Sequence, residues 1–171
     1  MKKIILILLL PLFSLGQQKD YSAVEICSLI QEYSSFSSST QADYALDKIM
    51  AVTGLKTNFV LRPCENISNA LAATVNGKRF ILYDPNFMKS LNQGNQYWSN
   101  LFILAHEVAH HLNNHTIDWM ILKNNNDIPN RTLEQQRKYE LEADEFAGFI
   151  LAKLGASFLE TTDVITKLPD I

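Results

Sequence analysis

The run His106-Glu107-Val108-Ala109-His110 falls in a stretch whose apolar residues Leu101, Phe102 and Leu104 follow helical spacing. At about 100° per residue the two histidines lie about 40° apart on one helix face, one turn above the other. Two imidazoles placed this way can share one zinc ion, and Glu107 beside them can hold and deprotonate a metal-activated water, whose pKa zinc lowers to roughly 7. A catalytic zinc site takes three protein ligands and keeps one position open. The fold must therefore carry a third ligand to this helix from elsewhere in the chain.

The candidate stands in Glu140-Leu141-Glu142-Ala143-Asp144, on a second predicted helix where Glu140 and Asp144 are four apart and share a face. His106, His110 and Glu140 then form the ligand set for one Zn2+. Asp144 is placed to accept a hydrogen bond from a ligand imidazole and fix its tautomer. Glu142 and Glu145 read as the solvated side of the same helix. Ala105 and Ala109 beside the histidines, and Ala143 and Ala147 beside Glu140, are small enough to let the two helices approach closely. His111 and His115 also stand four apart, but with no acidic partner between them they read as polar surface or as support for the ligands rather than as ligands themselves.

The surrounding elements read as α+β. Ser22 to Glu25 has capping-box form and opens a helix to about Gln31; a serine-rich linker, Ser34 to Ser39, follows. Thr40 caps a second helix ending at Gly54. Asn58 to Leu61, Ala70 to Val75 and Arg79 to Tyr83 read as three strands, the last two joined by Asn76-Gly77, a strong short hairpin signal. The expectation is a small antiparallel sheet packed against the histidine-bearing helix, which spans Tyr97 to Asn114. Pro85 to Leu91 forms a short helix before it. After the Asn124-Asn125-Asn126 loop, Thr132 and Gln135 make a capping box that opens the Glu140 helix, which stops at Gly155. Trp119 to Leu122 reads as an apolar core cluster between the two long helices.

The chain has 171 residues, 47% of them hydrophobic, which suits a single domain. Its start, Met1-Lys2-Lys3 followed by Ile4 to Leu10 and Ser14-Leu15-Gly16, has the three parts of a secretory signal peptide. Residues 1–16 are read as that signal and 17–171 as one exported domain, periplasmic or secreted, with no membrane span after cleavage. Removing Lys2 and Lys3 from the 15 basic residues leaves 13 against 18 acidic ones, so no basic surface invites nucleic acid. Cys27 and Cys64 are the two cysteines of the chain; in an oxidising compartment they suit a disulfide, with two separately buried thiols as the alternative.

The motif His106-Glu107-Val108-Ala109-His110 with His115 five residues on, followed by Glu140-x-x-Ala143-Asp144, resembles the M48 family of gluzincin metallopeptidases. The similarity covers roughly Asn69 to Gly155 and is concentrated in the two helices. It implies a zincin-like fold and zinc-dependent endopeptidase activity, with His106, His110 and Glu140 as ligands, Glu107 as general base and Asp144 behind the ligands. It also implies a peptide or protein substrate paired to an edge strand of the hairpin. This chain departs from the family in having no His, Tyr or Arg after Glu140 to stabilise an oxyanion, and Tyr139 is turned about 100° from Glu140. The alternative is a catalytically impaired gluzincin-fold protein that binds peptides or regulates a partner. Peptide deformylases share HExxH but take a cysteine ligand from an upstream motif that Arg62-Pro63-Cys64-Glu65-Asn66 does not match.

Overall fold

The computed structural model describes residues 40–75, 77–91, 96–116 and 132–167. The predicted signal peptide, the helix from Ser22, the serine linker, the Asn124 loop and the Trp119 cluster lie outside these residues, as does Cys27. Among the described residues no helix is long and apolar enough to cross a membrane.

The fold is α+β: among the described residues, five helices lie around a three-stranded sheet. Helix α1 (Thr40–Thr53) buries Ala42, Leu46, Ile49 and Met50, a stripe at helical spacing, and stops where Gly54 adopts φ +69°. Strands β1 (Phe59–Pro63), β2 (Ala70–Val75) and β3 (Lys78–Tyr83) follow. Their order is β1-β3-β2, with β2 antiparallel and β1 parallel to β3.

The sheet is thus mixed, not antiparallel throughout. The hairpin across positions 76 and 77 forms as expected, Val75 facing Lys78, but β1 pairs on the far side of β3 instead of beside β2. The physical reason is visible in β3, whose Phe80, Ile81, Leu82 and Tyr83 are all buried, whereas β1 alternates at Phe59, Val60 and Leu61. A continuous apolar run belongs in the middle of a sheet, where both faces are covered. The crossing is closed by Asp84, which accepts from the Ser68, Asn86 and Phe87 N–H groups. It thereby caps α2 (Pro85–Ser90) and ties down the β1–β2 connection. Cys64, fully buried at the end of β1, is disulfide-bonded.

Helix α3 (Gln96–Leu112) runs through the core: Leu101 to Ala105, Val108 and Ala109 are all buried. Helix α4 (Leu133–Leu154) lies along it, opened by the Thr132–Gln135 capping box and closed by Gly155 at φ +101°. Ala105, Ala109, Ala143 and Ala147 are fully buried, which is what lets a carboxylate as short as Glu140 reach across from α4. Helix α5 (Phe158–Lys167) was not anticipated. Its signal was present: Ser157 and Glu160 form a reciprocal capping box, with each backbone N–H held by the other's side chain. Glu160 also accepts from Trp98 Nε1, tying α5 to α3.

Candidate metal centre

The helical spacing of His106 and His110 and the close packing of α4 bring three ligand atoms together. His106 Nε2 lies 3.0 Å from His110 Nε2 and 3.1 Å from Glu140 Oε2, and the third edge, His110 Nε2 to Glu140 Oε2, is 3.7 Å. Atoms bound about 2.0–2.2 Å from a tetrahedral ion stand about 3.3–3.6 Å apart, and the three edges lie within about 0.3 Å of that range. The two imidazoles are largely buried while the Glu140 side chain is 48% exposed, leaving the mouth of the site on the α4 side. This His/His/Glu group can hold a metal ion.

Electrostatics point the same way. Burial resists a charge on His106, but hydrogen bonds to Asp144 and Glu140 outweigh it and push its pKa up to about 10. Hydrogen bonds to His106 and His110 hold the Glu140 carboxyl well below the usual carboxylate range. The cluster favours positive charge at its centre, which a cation supplies without needing a proton.

Glu107 is turned from the ligand face toward the sheet. Its Oε2 accepts from Ala72 N–H on β2 at 2.6 Å, and burial pushes its pKa up. Because that amide points away from β3, the carboxylate sits on the outer edge of the hairpin. Ala72 was not singled out from the sequence; any strand residue turned outward at this register would serve, so the sequence carries no signal for it.

Each imidazole of the triangle is also held from behind. Asp144 Oδ1 lies 2.9 Å from His106 Nδ1, as expected from its spacing to Glu140. Behind His110 stands His115, whose Nδ1 is 3.1 Å from His110 Nδ1 and whose Nε2 is 2.9 Å from Glu142 Oε2. Glu142, read from sequence as solvated, therefore faces His115, while Glu145 is exposed as expected. Tyr139 stacks on the His115 ring, with centroids 4.2 Å apart.

His111 takes no part in the triangle. It is fully buried, stacks on Phe59 and bonds the Phe80 carbonyl through Nε2, so it joins α3 to the sheet. Burial lowers its pKa to about 4. An unfolded imidazole titrates near 6.5, so the unfolded chain binds more protons between those values and stability falls as the pH drops through that window. The loss is on the order of 3 kcal/mol by pH 4. Chelator-treated His111→Phe keeps a ring for the stack but loses the hydrogen bond. By urea unfolding it should be less stable by about 1–3 kcal/mol at pH 7, and it should lose less stability than wild type between pH 7 and 4.5.

Compared with known proteins, the chain matches no family model and no curated sequence.

Proposed function

We propose that this protein is a zinc-dependent endopeptidase of M48-like gluzincin type, with a zincin-like site formed by His106, His110 and Glu140. The observation that carries this reading is the ligand triangle of 3.0, 3.1 and 3.7 Å with a buried glutamate beside it at the edge of a sheet. A nitrogen–nitrogen–carboxylate set suits zinc better than calcium or magnesium, which favour oxygen ligands. When bound, zinc supplies Lewis acidity toward a carbonyl and acidifies water.

The chain's own residues account for the rest. Among the described residues β2 is paired on one side only, and an extended peptide can add along its outer edge through main-chain hydrogen bonds. Glu107, held at that edge by Ala72, takes the proton of the attacking water and delivers it to the leaving amine. Its raised pKa suits both halves of that transfer. His106 and His110 stay oriented because their Nδ1 atoms are held by Asp144 and His115. The charged, apolar and small-residue order of residues 1–16 supports export.

The test is hydrolysis of a quenched-fluorescence peptide library by zinc-loaded protein. Cleavage should vanish with a chelator and return with added zinc. A second reading, a gluzincin-fold peptide-binding or regulatory protein, is favoured by the Tyr139 ring lying on His115 in a chain with no His, Tyr or Arg after Glu140. Bound zinc with no cleavage of any library member would select it.

A further inference from the structure

We propose that His115 is a positioning residue for the metal centre: it accepts the Nδ1 proton of His110 and passes the load to Glu142, which fixes the orientation of that ligand ring. The proposal rests on the reading that the His106–His110–Glu140 triangle binds a metal.

The chain itself bends His115 into place. After α3 ends, Asn114 takes the left-handed conformation, φ +56°, which asparagine tolerates better than most side chains. The His115 N–H then reaches back to the His110 carbonyl at 2.8 Å and the Asn114 N–H to that of His111 at 3.4 Å, a Schellman closure. Such a closure sets the residue after the left-handed one against the residue five before it. In this chain that juxtaposition is imidazole on imidazole, and His115 is 95% buried with its ring centroid 5.2 Å from that of His110.

Proton positions follow from the donor inventory. With His110 Nε2 in the triangle offering its lone pair to a metal, the single proton of a neutral ring sits on Nδ1 and must be donated. The atom 3.1 Å away is His115 Nδ1, which accepts only if its own proton is on Nε2. Nε2 in turn lies 2.9 Å from the Glu142 carboxylate, an acceptor. The chain of donors therefore runs one way, from His110 through His115 to Glu142, and every proton has a partner. The Asp144–His106 contact does the same for the other imidazole in a single step. Lys138 Nζ, 3.6 Å from the second Glu142 oxygen, adds a positive charge beyond the carboxylate.

The experiment compares zinc affinity of the full chain, by competition with a chromogenic chelator, for wild type, His115→Phe and His115→Asn. Phe keeps a ring against Tyr139 but has no acceptor, whereas the Asn carbonyl oxygen stands close to where His Nδ1 was. A positioning role predicts zinc binding about 10–100-fold weaker in His115→Phe and substantially recovered in His115→Asn. It also predicts a changed visible spectrum of the cobalt-substituted Phe variant. If His115→Phe binds zinc like wild type, or His115→Asn binds more weakly than His115→Phe, ring packing is the whole role and the proposal falls. Should the variants fail to fold, 15N NMR of zinc-loaded wild type reads the tautomer directly. A proton on His115 Nε2 supports the proposal and a proton on Nδ1 overturns it. Absence of zinc binding by wild type would sink the metal site first and this role with it.

Discussion

Glu107→Gln is expected to lower the rate of peptide hydrolysis by about a hundred- to ten-thousand-fold with zinc content unchanged. The substitution is close to isosteric, and the glutamine oxygen can still accept from Ala72 N–H, so the contact between α3 and β2 survives. A buried carboxylate whose pKa burial has raised is replaced by a neutral group, so folding stability should hold or rise. What the amide cannot do is take a proton from water. Steady-state kinetics should therefore show the loss in kcat, with KM little changed, because the glutamine side chain keeps the contact to Ala72 N–H and leaves the rest of the β2 edge as it is for peptide pairing. Full activity in Glu107→Gln would remove Glu107 from the mechanism.

His106→Ala should weaken zinc binding by about a thousandfold or more, measured by chelator competition. His106 is the hub of the site: its Nε2 makes the two shorter edges of the ligand triangle and its Nδ1 binds Asp144. Removing it deletes one corner of the triangle, unhooks Asp144 and leaves two carboxylates facing one another across a small cavity. Asp144→Asn is the graded comparison. An asparagine oxygen can still accept from Nδ1 without the charge, so affinity should fall only about tenfold, the lower end for a supporting contact. Equal losses in the two variants would show that Asp144 acts as a ligand and not as a support.

Much of this site was readable in the sequence because its parts are local or periodic. Two histidines four apart must share a helix face, Glu140 and Asp144 must do so too, and the alanines beside each pair implied close approach. The capping residues Thr132 and Gly155 bounded α4 correctly, and Asn76-Gly77 located the hairpin. What escaped depends on distant pairing. Nothing local to Phe59–Pro63 states that it joins β3 in parallel, since strand order is settled by which apolar run needs cover on both faces. Ala72 is chosen by register, not by chemistry. His115 and Glu142 lay between these cases: their residue types were visible, but only the left-handed turn at Asn114 aims one back at His110, and only α4 packing brings the other to meet it. The box at Ser157 and Glu160 that opens α5 is legible in the sequence by the same capping chemistry as Thr132 and Gln135.

The most direct test of the central claim is elemental analysis of the purified full chain together with calorimetric titration of the chelator-treated protein with Zn2+. One zinc per chain, bound by wild type and lost in His106→Ala, is the predicted result. A wild-type chain that binds no zinc, or binds it equally well without His106, would contradict the metal centre on which the rest depends.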